Sequence, residues 1–191
     1  MKQYEQLPQT PIRNLLLIGA GLIGGSLTLA LKNAGVAQNV IGVGRRIEVM
    51  QHALELGLID RFVQPNTPEY AQAVQSADVI VLAMPVGQTQ NVLRDLLPHL
   101  SAHTIITDAG STKQSVYNDA RAVLGERITQ FVLAHPIAGR EVNGPHAALA
   151  DLYVNKKIMV CPLPKPAHNT PEQIATVVSM WQATRGLVYE M

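Results

Sequence analysis

The chain has 191 residues, within the roughly 100–200 expected of one domain. A hydrophobic share of 47% against a charged share of 15% excludes global disorder and leaves material for a sizeable core. Fifteen basic and fourteen acidic side chains give a net charge of +1, which excludes the electrostatic footprint of a nucleic-acid binder. The single cysteine, Cys161, excludes an internal disulfide and fits a reducing compartment, so the expected location is the cytoplasm.

From Asn14 to Leu31 no residue is charged, close to the length of a membrane span. Gly19, Gly21, Gly24 and Gly25 interrupt it. Each glycine weakens a helix by about 1 kcal/mol relative to alanine, so the segment reads as strand, turn and helix, with no membrane expected. Leu15 to Ile18 is the strand and Leu22 to Ala34 the helix, stopped by Gly35. Asn39 to Val43 reads as the next strand, followed by a helix from Ile47 to Leu56 and Gly57. No element is assigned from there to Asp78. Val79 to Ala83 is a strand and Val86 to Leu97 a helix; His103 to Asp108 and Thr112 to Leu124 repeat the pair, and Thr129 to Ala134 is another strand. These strands are continuous apolar runs, as expected where both faces are buried. The pattern predicts an α/β fold, a doubly wound Rossmann-type, mostly parallel sheet with helices on both faces.

After Ala134 the rhythm changes. His135 to Pro145 reads as an irregular loop, Lys157 to Val160 as a strand, and Pro162 to Pro171 as a connector without a helix. A helix from Glu172 to Thr184 and a strand from Gly186 to Met191 complete the chain.

Gly19-Ala20-Gly21-Leu22-Ile23-Gly24 is a G-x-G-x-x-G pattern between a predicted strand and a predicted helix, the context of a dinucleotide site. The first glycine permits the turn, the second lets a pyrophosphate approach the backbone, and the third lets the helix pack on the strand. Leu22 and Ile23, in the first turn of the helix, are candidate cofactor contacts, as are Ala83, Met84 and Pro85 at the end of the Val79 strand. The second strand leads into Gly44-Arg45-Arg46, with no acid for a ribose hydroxyl. Two guanidiniums suit a 2′-phosphate, so NADP is preferred over NAD, although both arginines could simply be solvated.

Asp108-Ala109-Gly110-Ser111-Thr112-Lys113 lies where a strand gives way to a helix, which puts Ser111 near the reactive end of the cofactor. A plain helix cap is the other reading of Ser111 or Thr112. His135, in the loop His135-Pro136-Ile137-Ala138-Gly139-Arg140-Glu141, could accept a hydroxyl proton or simply be packed with its nitrogens satisfied. His99 and His103 lack a helix and a glutamate between them, so no zinc site is expected. Cys161 has no activating partner in the sequence and reads as buried and inert.

With these three motifs, in this order and separation, the chain resembles the prephenate/arogenate (cyclohexadienyl) dehydrogenase family of tyrosine biosynthesis, over nearly its whole length. The resemblance implies an NAD(P)-dependent oxidative decarboxylation giving 4-hydroxyphenylpyruvate or tyrosine. It implies that His135 takes the ring-hydroxyl proton of prephenate or arogenate, that Ser111 hydrogen-bonds that hydroxyl, and that Glu141 gates the pocket mouth, partly exposed. Residues 1–191 would be the NAD(P)-binding domain. The helical domain that dimerises and grips substrate in the family is not in this sequence, so isolated turnover should be weak or absent, and a longer form should be a homodimer. Two other readings remain: a β-hydroxyacid-type dehydrogenase sharing only the glycine motif, and a non-catalytic NADP-sensing module.

Overall fold

The computed structural model describes residues 1–191. The glycine-flanked apolar runs form nine strands: β1 (Lys2–Gln3), β2 (Ile12–Ile18), β3 (Ala37–Val43), β4 (Arg61–Val63), β5 (Val79–Leu82), β6 (Ile105–Asp108), β7 (Phe131–Pro136), β8 (Lys157–Cys161) and β9 (Leu187–Glu190). Between them lie α1 (Leu22–Asn33), α2 (Ile47–Glu55), α3 (Pro68–Ser76), α4 (Thr89–Leu96), α5 (Lys113–Leu124) and α6 (Pro171–Ala183). The strands build one sheet in the order β1-β9-β8-β7-β6-β5-β2-β3-β4. Pairing is parallel from β4 through to β7, antiparallel between β7 and β8, parallel between β8 and β9, and antiparallel at the β1 edge.

Alternate residues of the central strands serve opposite faces. Leu15 and Leu17 of β2 and Val79 and Val81 of β5 join α1, α2 and α6 in one core. Leu16 and Ile18, with Ile80 and Leu82, join α3, α4 and α5 in the other. Helices therefore cover both faces. The chain runs from β2 out to β4, then returns across β2 to β5, so the strand order reverses between β2 and β5. At such a reversal the loops behind neighbouring strands part and leave a crevice at the carboxyl ends.

The fold contains three elements that apolar patterning alone leaves out: β1, β4 and α3. α3 is short and buries only Tyr70, Ala73 and Val74, but has a legible start. Thr67 accepts from the Tyr70 N–H at 3.2 Å, and Pro68 takes the first helical position, where its missing N–H costs nothing. The expected helix from Val86 begins instead as a 3₁₀ turn over Val86–Gln88, and only Thr89–Leu96 is α-helical. β7 runs on through His135 and Pro136, because β8 pairs with both, His135 opposite Met159 and Pro136 opposite Ile158.

Trp181 of α6 is fully buried and meets Tyr153 edge-on at 5.3 Å between ring centroids. We expect Trp181→Ala to lower the unfolding free energy by about 3–5 kcal/mol, seen as a shift of the urea midpoint.

Candidate functional site at the carboxyl ends of the strands

The turn behind β2 is fixed by two close approaches. Gly19 has φ +103°, and a Cβ there would lie 2.5 Å from the Ala83 carbonyl oxygen. The Ala83 N–H in turn donates to the Ile18 carbonyl at 2.8 Å, which holds the ends of β2 and β5 together. A Cβ on Gly24 would fall 2.2 Å from the Gly19 carbonyl oxygen and 2.8 Å from Leu17, so glycine is required for α1 to pack this closely. Gly21 differs. Its φ of −91° suits any residue, and a Cβ there would meet no atom within 4 Å. No close contact within the protein calls for glycine at 21, which lines the cavities above the turn. No side chain caps α1, and Gly21, Leu22 and Ile23 line a cavity, which leaves the first-turn N–H groups and their partial positive charge for an anion.

Two joined cavities meet over this turn, one of about 540 Å³ and one of about 810 Å³. They share Gly21, Ala83, Met84, Pro85, Asn143 and Gly144. The larger runs toward β3 and is bounded by Arg45, Arg46, Tyr70 and Asp95. Arg45 is largely exposed, 4.0 Å from the Asp95 carboxylate, and Arg46 caps α2 with its backbone alone. The smaller runs toward β6 and β7 and brings together Gly110, Ser111, His135 and Arg140.

Ser111 does not cap a helix. The cap of α5 is Thr112, and its side chain makes no capping hydrogen bond either. Ser111 is exposed and lines the smaller cavity. His135 is half-buried at the end of β7. Burial lowers its pKa from the usual histidine value, and the nearby Lys113 ammonium lowers it further, against an opposing pull from Asp108. At neutral pH its imidazole is therefore neutral and able to accept a proton.

Glu141 lies exposed in the loop behind β7, outside the lining of either cavity and without an ion-pair partner. His99 packs edge-on against Tyr70 at 6.1 Å, and no group of three His, Cys, Asp or Glu could hold a metal ion. Cys161 is buried beside Asp108 and Lys113, and burial pushes its thiol up. No helix is long and apolar enough to cross a membrane.

Asn143, Gly144 and His146 line the groove although no motif in the sequence marks them. They reach it because the following segment is fastened to α1: Leu149 N–H donates to Ser26 Oγ at 2.9 Å, and the Tyr153 hydroxyl to the Ile23 carbonyl at 2.6 Å. Neither bond has a local sequence signature, since they join residues more than 120 positions apart.

A glycine turn leading into an uncapped helix, under a groove at the reversal of a doubly wound sheet, defines a dinucleotide-binding domain. The family described as "Prephenate dehydrogenase, nucleotide-binding domain" matches residues 27–190, and the chain belongs to it. The glycine motif precedes the matched span, so its assignment rests on the geometry above. The chain is 36% identical to a Bacillus subtilis prephenate dehydrogenase, over 86% of this chain and 43% of that protein. It is 31% identical to a Zymomonas mobilis cyclohexadienyl dehydrogenase, over 94% of this chain and 58% of that one. The chain thus spans about half the length of these relatives. Among solved structures, Aquifex aeolicus prephenate dehydrogenase in complex with hydroxyphenyl propionate and NAD+ superposes with a TM-score of 0.83 at 30% identity, covering 96% of this chain and 61% of that chain.

The contrast between the glycines is testable. We expect Gly21→Val to leave the thermal midpoint within a degree or two but to abolish dinucleotide binding, because its side chain enters only the cavity. Gly24→Val should lower the midpoint by several degrees through its collision with the turn. Differential scanning fluorimetry with and without cofactor reads both.

Proposed function

We propose that residues 1–191 are the cofactor-binding part of a cytoplasmic prephenate or arogenate dehydrogenase, preferring NADP and accepting NAD. The observation that carries this reading is the meeting of Ser111 and His135 in one cavity with Gly21 and Ala83. They lie at the end of the groove away from Arg45, where the reactive half of a dinucleotide would lie once its phosphates rest on α1. The relatives named prephenate, cyclohexadienyl and arogenate dehydrogenase support the substrate class.

The nicotinamide ring, when bound, supplies a hydride acceptor. His135 takes the proton of the ring hydroxyl as the carbinol carbon loses its hydride, and the resulting ketone draws the electrons of the breaking carboxylate bond. CO2 leaves and the ring becomes aromatic, so no second base is needed. Ser111, free of capping, hydrogen-bonds the reacting hydroxyl and holds it toward His135, a positioning effect. Glu141, on the exposed loop, is proposed to gate entry. Because the relatives extend well beyond the matched region, we assign the grip on the substrate, and homodimer formation, to a helical domain outside residues 1–191.

Arg45 and Arg46 stand where an acid would receive the ribose hydroxyls of NAD, and their donor forks match a 2′-phosphate. Asp95 favours the second cofactor: its carboxylate, in the same cavity and 4.0 Å from Arg45, offers an acceptor to those hydroxyls.

Isothermal titration of the chain should show saturable NADP+ binding. The double substitution Arg45→Ala, Arg46→Ala should weaken NADP+ by about tenfold or more and NAD+ far less, the equivalent of a lost charge-assisted bond. An equal loss for both cofactors would overturn the NADP preference. In the full-length polypeptide, His135→Ala should lower kcat by about 10²–10⁴ with cofactor affinity unchanged. Because its pKa is lowered, the neutral base persists to lower pH, so the acid limb of kcat/KM should lie below the ordinary histidine value of about 6.5. Full activity in His135→Ala sinks the assignment.

A further inference from the structure

We propose that Asp108 and Lys113 form a buried clamp that sets the positions of Ser111 and His135 together; they are positioning residues, and the inference rests on the proposed roles of that serine and histidine. The β6–β7 ladder stops early. Its last register pair is Thr107 with Val132, and beyond it the two strand ends diverge to open the smaller cavity. Ala134, two residues further along β7, would be left with unpaired backbone groups at the sheet interior. Two side chains replace the missing strand. Asp108 Oδ1 accepts from the Ala134 N–H at 3.1 Å, and Lys113 Nζ donates to the Ala134 carbonyl at 2.5 Å.

The same carboxylate reaches the other catalytic segment. Asp108 Oδ2 accepts from the Gly110 N–H at 2.9 Å and from Lys113 Nζ. The residues held are thus Gly110, directly before Ser111, and Ala134, directly before His135. Lys113 closes the ring from the first turn of α5, two positions after Ser111. A Cβ on Gly110 would come within 3.0 Å of Asp108 Oδ2 and 2.9 Å of Val86, so glycine there is what lets the carboxylate fold back.

The pair is a poor device for stability alone. Asp108 is 3% exposed, and desolvating two charges offsets most of their attraction. Burial pushes the Asp108 carboxyl up and the Lys113 ammonium down, each opposed by its partner. Three donors on the carboxylate and a carbonyl on the ammonium are the coordination of an ion pair. What the arrangement provides is geometry, with a polarity that acts on His135. The charged groups that act on the imidazole are Lys113 from α5 and Asp108 from β6, and Arg140, from the loop behind β7, lines the same cavity. Across the antiparallel ladder, β8 places the uncharged Met159 opposite His135, with the Cys161 thiol beside the ion pair. Lys113 disfavours the imidazolium and adds to the effect of burial, while Asp108 opposes it, so the clamp aims the base and its ammonium helps to keep it unprotonated.

The test uses the isotope-labelled 191-residue chain without cofactor, by amide exchange and histidine titration in NMR. In Asp108→Asn a single carboxamide oxygen replaces two carboxylate oxygens. Exchange at the Ala134 or Gly110 amide should quicken by about tenfold or more, while Leu16 and Ile41 in the sheet centre keep their wild-type rates. In Lys113→Met the His135 titration should move to higher pH, and in Lys113→Arg it should return toward wild type. Wild-type exchange at both amides in Asp108→Asn overturns the proposal. So does an unmoved His135 titration in Lys113→Met, and so does a uniform rise in exchange across all strands, which marks a purely structural role. Should Lys113→Met fail to fold, Asp108→Asn and Lys113→Arg still decide. None of these readouts needs cofactor or turnover, so failure of the dehydrogenase reading would show separately, in the cofactor titration and in His135→Ala.

Discussion

The site depends on how closely the backbone behind β2 lies against the end of β5. With Gly19 in a conformation that other residues rarely adopt and its Cα against the Ala83 carbonyl, the turn is tight enough for α1 to start directly beneath the groove. Gly24 then lets the helix settle on Leu17 and Ala83. Were this contact looser, the helix N-terminus would tilt away from the point where the strand order reverses. The groove would then lose the free N–H groups of the first turn of α1. Side chains further along the groove act on whatever this turn holds in place.

From that anchor the groove extends in two chemical directions. Toward β3 it is bounded by two arginines and an aspartate. Toward β7 it becomes a smaller space lined by the half-buried His135 and the exposed Ser111. The division follows from topology: β3 and β7 lie on opposite sides of the reversal, so the arginines and the imidazole are carried by different halves of the sheet.

Much of this was legible in the residues. Continuous apolar runs marked β2, β5, β6 and β7, and the glycine spacing marked the turn, because burial on both faces and a close backbone approach each impose a composition. β4 and α3 were not, since a three-residue strand is too short to show a period and the nine residues of α3 place only Tyr70, Ala73 and Val74 on the buried face. The His135–Pro136 segment read as loop because its Gly and Pro neighbours outweigh two residues whose strand geometry is imposed by β8. Asn143 and His146 were beyond reach for a different reason. Their place in the groove follows from Ser26 and Tyr153 contacts across most of the chain, and no window of sequence contains both partners.

Those two long-range fastenings also bear on how the domain assembles. One wall of the groove is contributed by residues 143–146, held against α1 by a segment that ends at Tyr153. The amino-terminal strands and helices can therefore form a sheet without yet forming a complete binding groove. A chain still emerging from the ribosome would hold its glycine turn open to solvent until Tyr153 had been made. Contacts of such high sequence separation slow folding, because loop closure precedes the reward. A ligand that bridges α1 and the 143–146 wall binds only the finished arrangement. It would thus act as a late brace, shifting the equilibrium toward the folded chain in proportion to its saturation.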